Sequence, residues 1–288
     1  MSLEAIALVL LSALLHPIRD LLLKGHPRPE SAYLGVTAGW IVLAALHAGV
    51  TGSTLGLADT VWPVAAISAG CLSAYYFGTM AALKTGDLSV YYPIIRSSPL
   101  LIAALSWAFA GRTYATTVMV GIFMIVVAGF ALQREPGRLI ANPKAITLAL
   151  VAMAGSAGYT MADSAAMQVS KPAAFLFWVY LGVAPAFALL AIWFRPREVP
   201  VGVHLLAGWR ISPLRIALAS FVSYVSYVCI LTAFGIGAGA AETAAIRQAS
   251  IPVSVVLAAL VLGETRFLGR LAWSGMIAAG IILIALTG

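Results

Sequence analysis

The chain has 288 residues, 62% of them hydrophobic and 9% charged, where a soluble domain carries roughly 25% charged residues and 45–50% apolar ones. So few charges cannot coat a water-soluble surface, which excludes a soluble enzyme, a nucleic-acid-binding domain and a disordered chain. The 17 Lys and Arg against 10 Asp and Glu give a net charge of +7. With no basic run interleaved with aromatics to suggest nucleic acid, that excess reads as the loop-charge bias of a membrane protein.

A membrane-spanning helix needs about 20 apolar residues. Apolar stretches punctuated by charge, Gly or Pro predict ten spans, at 4–23, 32–50, 60–83, 88–110, 114–132, 145–168, 173–194, 213–236, 240–262 and 268–287. The expected fold is an all-α polytopic membrane protein. The first stretch has an acid, Glu4, and no basic leader or clear cleavage site, so it is expected to stay in the mature fold. The longest connections, 133–144 and 195–212, leave no room for a soluble domain. Cys71 and Cys229 lie in apolar stretches and form neither a disulfide framework nor a metal pattern. No metal or cofactor is expected.

The two halves resemble each other. Tyr33-Leu34-Gly35-Val36 recurs as Tyr180-Leu181-Gly182-Val183. At an offset of 151, Tyr76 matches Tyr227, Ala82 matches Ala233, Gly86 matches Gly237, Ile95-Arg96 matches Ile246-Arg247, and Ala128-Gly129 matches Ala279-Gly280. Asp20 matches Asp163 in the first span of each half. Residues 1–136 and 137–288 are thus expected to be two five-helix repeats. An odd number of spans inverts the second repeat relative to the first, a design of secondary transporters that places the binding site between the halves near the midplane.

Loop charge is one-sided. Lys24, Arg28, Lys84, Arg134, Arg138, Lys144, Arg195, Arg197, Arg210, Arg215, Arg266 and Arg270 fall in or beside the connections of one face, and only Arg112 and Lys171 in those of the other. The positive-inside rule makes the first face cytoplasmic and puts both termini outside.

Leu14-Leu15-His16, followed by Asp20 and Lys24, resembles the first helix of EamA-type transporters of the drug/metabolite transporter superfamily, where a Leu-His-x-x-Trp-Asn-x-x-x-Lys pattern is common. Here Arg19 and Asp20 stand in place of Trp-Asn. Tyr92-Pro93-Ile94-Ile95-Arg96-Ser97-Ser98-Pro99 is similar to the family's Tyr-Pro-x-x-Arg-x-x-x-Pro segment of helix four, with the second proline one place early. Arg247-Gln248-Ala249-Ser250, then Leu262-Gly263-Glu264, is similar to helix nine, where the family reads Arg-Glu-Thr-Ser. The resemblance runs over essentially the whole chain. It implies ten helices in a five-plus-five inverted repeat around a central cavity, and substrates among amino acids, other small metabolites or drug-like cations. It also implies cytoplasmic termini, opposite to the loop-charge reading.

A charge at mid-bilayer costs about 2.5–3.5 kcal/mol on insertion scales, so intramembrane ionisable groups are the default functional candidates. Arg96 sits about eight residues, roughly 12 Å, into its span, and Arg247 lies at the equivalent depth. Ser89, Tyr92, Arg96 and Pro99 share one helix face, and Thr243, Arg247, Ser250 and Ser254 another. A guanidinium in a cavity holds a carboxylate or phosphate bidentately; alternatively, each Arg pairs with a buried acid or with helix-end carbonyls. His16 and Asp20, at i and i+4, and Asp163 in the matching helix are candidates for proton or ion coupling; alternatively, the acids reach water or pair with Arg19 or Lys24. Glu242 is a further coupling candidate, or simply a carboxylate favoured at a helix N-terminus. Tyr75 and Tyr76 in helix three, Tyr224 and Tyr227 in helix eight, and Trp178 and Tyr180 in helix seven offer rings and polar tips to a ligand.

The expected activity is alternating-access transport of a small solute, an amino acid or another carboxylate-bearing or zwitterionic metabolite, across the inner (plasma) membrane. An exporter of cationic or drug-like compounds is the alternative. No GxxxxGK[ST] stretch points to ATP. His16, His26, His47 and His204 form no HExxH, and no GxSxG appears, so an enzyme is not expected. A channel would show a continuous polar lining. The expected partners are the lipid bilayer and a small-molecule substrate, with no nucleic acid, in a monomer or weak homodimer.

Overall fold

The computed structural model describes residues 1–85, 94–133, 143–253, 256 and 267–287. Among them the chain is helical throughout, with no strand. The long helices are α1 (Leu3–Leu23), α2 (Pro29–Val50), α3 (Trp62–Thr85), α4 (Ser98–Ala110), α5 (Thr116–Gln133), α6 (Pro143–Ala166), α7 (Pro172–Trp193), α10 (Pro213–Gly235) and α12 (Phe267–Thr287). Two short helices, α8 (Val201–Leu205) and α9 (Ala207–Ile211), occupy the 195–212 connection, and α11 (Ala240–Ile246) runs into a 3₁₀ turn at Arg247–Ala249.

Local chemistry sets the helix ends. Pro29, Pro143, Pro172 and Pro213 each open a helix, where the missing N–H is no loss and the fixed φ suits the first turn. The Ser2 side chain accepts from the Ala5 N–H at 3.2 Å and caps α1. Gly111, at φ +62°, ends α4, and Gly237, at φ +94°, follows α10. Each lets the next N–H turn back on the helix, Arg112 six residues to the Ser106 carbonyl at 3.1 Å and Ala238 five residues to the Ala233 carbonyl at 2.9 Å. The second is the Schellman pattern, and both need a left-handed residue.

Among the described residues, six helices are long and apolar enough to cross a membrane: Leu3–Leu23, Pro29–Val50, Trp62–Ala82, Pro143–Ala166, Pro172–Trp193 and Pro213–Gly235. Shorter apolar helices span Ser98–Ala110, Thr116–Leu132 and Ala272–Leu286. The sequence predicts ten crossings. The difference lies in the fourth, fifth, ninth and tenth stretches. The fifth and tenth hold the shorter helices Thr116–Leu132 and Ala272–Leu286. Part of the fourth and of the ninth lies outside the described residues, and α4, with 13 residues, reaches only about 20 Å of a hydrocarbon core about 30 Å thick. In the ninth stretch the α-helix gives way after Ile246 to the 3₁₀ turn.

Polarity is distributed as lipid demands. Val42, Leu46, Phe77, Phe123, Leu189 and Phe221 are exposed on the long helices, while Ser12, Ser68, Asp163, Ser220, Ser223 and Ser226 are buried. With no water in hydrocarbon, such groups must find partners inside the bundle. Ser12 Oγ and Ser226 Oγ lie 2.9 Å apart, Ser226 Oγ donates to the Ser12 carbonyl at 3.0 Å, and Ser220 Oγ donates to the Ile216 carbonyl at 2.7 Å.

The most extensive packing joins α3 to α6, α1 to α10, α5 to α12 and α2 to α7, and α4 packs on α11. Small residues set the separation of these pairs. A Cβ built on Gly121 of α5 would meet the Gly280 carbonyl oxygen at 2.8 Å, and one on Gly280 of α12 would meet the Gly121 carbonyl oxygen at 2.7 Å. The same reciprocity extends to Ile284 and Ile125, each against the opposite glycine.

Candidate functional site

The paired helices leave a cavity of about 120 Å³ between them, with both polar and apolar walls. That is comparable with the roughly 150 Å³ of a cavity able to take benzene, a size for a small metabolite. α1 contributes His16 and Arg19, α2 contributes Trp40, and α3 contributes Leu72, Tyr75, Tyr76 and Thr79. Ile95, Arg96 and Ser98 come from the start of α4, Ser156, Tyr159 and Thr160 from α6, and Tyr180 from α7. α10 adds Ser223, Ser226, Tyr227, Ile230 and Phe234, and the α11 segment adds Thr243, Ala244, Arg247, Gln248 and Ser250.

Rings make much of the wall. Trp40 packs on Tyr180 at 4.2 Å, on Tyr227 at 5.6 Å and edge-on to Tyr224 at 5.7 Å. Tyr75 adjoins Tyr76 at 5.1 Å and Tyr159 at 5.8 Å. Trp40 Nε1 donates to Ser223 Oγ at 2.8 Å, and Ser223 Oγ donates to the Ala219 carbonyl at 2.6 Å. A Ser223→Ala substitution strands the buried indole N–H, at an expected cost of about 1–3 kcal/mol. A lowered melting temperature of the purified protein is the readout.

Three guanidinium groups share this lining. Arg19 donates to Asp20 Oδ1 from Nε at 3.0 Å and from Nη2 at 2.7 Å, and lies 5.9 Å from the centroid of Tyr33. Arg96 Nη1 donates to Gln248 Oε1 at 3.1 Å and reaches Ser250 Oγ at 3.5 Å. Gln248 Nε2 donates in return to the Arg96 carbonyl at 3.3 Å, clamping the start of α4 to the 3₁₀ turn. Arg247 lies over the Tyr227 ring, 5.5 Å from its centroid, within cation–π reach. His16 Nε2 is 3.9 Å from Asp20 Oδ2.

Asp163 sits directly behind this wall. Its Oδ1 accepts from Ser68 Oγ at 2.5 Å and its Oδ2 accepts from the Tyr227 hydroxyl. The carboxylate thus holds the ring beneath Arg247 without itself lining the cavity.

Of the residues singled out from sequence, Arg96, Arg247, Tyr75, Tyr76, Tyr227, Ser250 and His16 line one cavity. Asp20 is half exposed and bound to Arg19. Trp178 lies elsewhere: its Nε1 donates to the Leu55 carbonyl at 2.6 Å and its ring packs on Trp62 at 4.8 Å. Glu242 is buried and pairs with Arg112 at 3.3 Å, outside the lining. Tyr92 lies outside the described residues, as do Ser89 and Ser254. Sequence reasoning passed over Arg19, Trp40 and Gln248. Arg19, three places after His16, falls on the same side of α1, and that spacing is the signal for it.

At the other face, Arg28 Nη1 approaches His204 Nδ1 at 3.4 Å and Ser31 Oγ donates to the His204 carbonyl at 2.5 Å. These contacts tie the α8–α9 connection to the start of α2. Burial first, then the Arg28 charge, hold the His204 imidazole below its ordinary pKa, so it favours the neutral form there.

No family model matches the chain, and no curated protein matches its sequence. Solved structures do: 29 chains match it. One of them, a crystal structure of a protein, superposes with a TM-score of 0.73 at 21% identity, over 99% of this chain and 98% of that one. The likeness carries the fold and extends over the whole length of both chains.

Proposed function

We propose that the protein is a secondary carrier, built as ten spans in a five-plus-five inverted repeat with halves 1–136 and 137–288. It moves a small carboxylate-bearing or zwitterionic solute, such as an amino acid, across the inner (plasma) membrane by alternating access. The observation that carries this reading is that Arg96 and Arg247, 151 positions apart in matching sequence contexts, both open on one cavity.

The helix pairing supports the repeat. A two-fold operation exchanging α1 with α6 and α3 with α10 turns the α1–α10 contact into the α6–α3 contact. It also leaves α2–α7 and α5–α12 as self-paired contacts, and all four are the extensive ones. The mutual approach of Gly121 and Gly280 fits an axis running between α5 and α12. The solved structure of like fold supports the arrangement as a whole, without naming an activity.

Three guanidinium groups in the lining favour an anionic group on the solute and disfavour a purely cationic one. The aromatic walls supply apolar contact for the rest of the molecule. His16 beside Asp20 is the pair best placed to carry a coupled proton. Glu242, held by Arg112, is left out of that role. The lining contains no activated nucleophile and no close carboxylate pair among the described residues, which favours a carrier over an enzyme.

The test is counterflow. Proteoliposomes preloaded with unlabelled solute should accumulate labelled alanine, glutamate or succinate saturably, and Arg96→Ala and Arg247→Ala should each reduce the rate by about tenfold or more, since a charged hydrogen bond is worth about 1.5–3 kcal/mol. No accumulation of any probe, or accumulation untouched by both substitutions, defeats the reading.

A further inference from the structure

We infer that the cavity is built for a small divalent anion, a dicarboxylate or a phosphate monoester, in preference to a zwitterion. The inference rests on the carrier reading of this cavity and narrows its substrate.

The argument is a charge balance. Arg19, Arg96 and Arg247 all line the cavity, and His16 lies within electrostatic reach of all three and of Asp20. Asp20 is engaged by Arg19 through two donors. Asp163, the other nearby acid, has one oxygen committed to Ser68 and the other to Tyr227. Arg96 meets the neutral Gln248 and Ser250, and Arg247 meets the face of Tyr227. Among the described residues, two guanidinium groups therefore face one small space with neutral groups as their direct contacts, and Asp163, the acid nearest Arg247, lies behind the lining rather than in it.

Charge taken out of water is costly unless it is paired. A solute bearing two negative charges balances both groups, and each carboxylate or phosphate edge matches a guanidinium fork. A monocarboxylate leaves one guanidinium without an ionic contact inside the cavity. The ammonium of an amino acid fares worse, because the lining offers it no carboxylate among the described residues and it must approach two like charges. Thr243 adds an independent sign of an absent ligand. Its side chain is buried, it lines the same cavity, and its hydroxyl has no partner among the described residues. Buried hydroxyls are ordinarily hydrogen-bonded, and a ligand oxygen would satisfy this one.

Titration calorimetry of the full chain in lipid nanodiscs, at neutral pH, tests the inference with four probes: succinate, glycerol 3-phosphate, butyrate and 4-aminobutyrate. The last two replace one carboxylate of succinate by a methyl and by an aminomethyl group. At least one dianion should bind about tenfold or more tightly than butyrate and 4-aminobutyrate, the lower end of what one charged hydrogen bond is worth. Whichever dianion binds better identifies the carboxylate or the phosphate chemistry. Arg96→Gln and Arg247→Gln, each first shown to melt like the parent, should bring dianion affinity down to that of butyrate and leave butyrate within about threefold. Arg247→Lys keeps the charge and should retain part of the preference.

The inference is overturned if 4-aminobutyrate matches the dianions, if both Gln variants weaken all probes alike, or if no probe binds. Counterflow of an amino acid that succinate does not inhibit sinks the inference and leaves the carrier standing. Tight dianion binding with no counterflow of any solute sinks the carrier and leaves the site.

Discussion

A Gly155→Ala substitution should sharply lower the melting temperature and folded yield of the purified protein, although it adds one methyl group. The added Cβ would lie 2.6 Å from the Cys71 carbonyl oxygen, 2.7 Å from the Tyr75 nitrogen and 3.2 Å from the Tyr75 Cα. All three are backbone atoms of α3, so no side chain can swing aside, and α3 and α6 must separate. Overpacking of this kind costs about 1–3 kcal/mol or more. Gly78→Ala acts on the same seam from the other side, meeting the Leu148 carbonyl oxygen at 2.7 Å. Gly70→Ala is the control. It lies on the same helix as Gly78 with nothing within 4 Å of its added Cβ, and should be neutral or stabilising by about 0.5–1 kcal/mol through helix propensity. If Gly155→Ala and Gly70→Ala melt alike, the close approach of α3 and α6 is not what holds the bundle.

An Asp163→Ala substitution should lower the counterflow rate by roughly five- to a hundredfold in protein that still folds. Removing the carboxylate strands the hydroxyls of Ser68 and Tyr227 in a buried site, where each unpaired group costs about 1–3 kcal/mol. It also frees the ring that lies against Arg247. Tyr227→Phe keeps the ring and the Ser68 contact and should lose less. Asp163→Asn, which can still accept from one hydroxyl, should fall between the two. The measurement is the initial rate at saturating solute, normalised to correctly folded protein. A normal rate in Asp163→Ala shows that the ring needs no anchor.

Much of the helix layout is written in the sequence. The apolar stretches at 32–50, 173–194 and 213–236 match α2, α7 and α10 to within three residues at each end, because hydrocarbon excludes charge and a proline suits the first turn of each helix. The break after Ile246 is not legible, since Ala, Ile and Val continue on both sides of Arg247 and hydropathy does not register a change of helix type. Cavity-lining residues were legible where polarity stood out against an apolar helix, as with Arg96, Arg247 and Ser250. They were illegible where two neighbours share a chemistry and only orientation separates them. Tyr180 reaches the cavity and Trp178 does not, because two steps along a helix turn the side chain by about 200°. Glu242 is decided by Arg112, which lies 130 residues away, and no local pattern encodes such a partner. Arg19 reads as a mate for Asp20, which it is, but the pairing hides that it also lines the cavity.

The helix pairing also bears on how the chain is made. The extensive contacts of α1, α2, α3 and α5 are all with helices from Pro143 onward. During synthesis the early helices therefore enter the bilayer before their main mates exist. Ser12 waits for Ser226, and Trp40 waits for Ser223. Without α6 and the helices after it, Ser12 and Trp40 lack these polar partners, and the main packing faces of α1, α2, α3 and α5 have no mate.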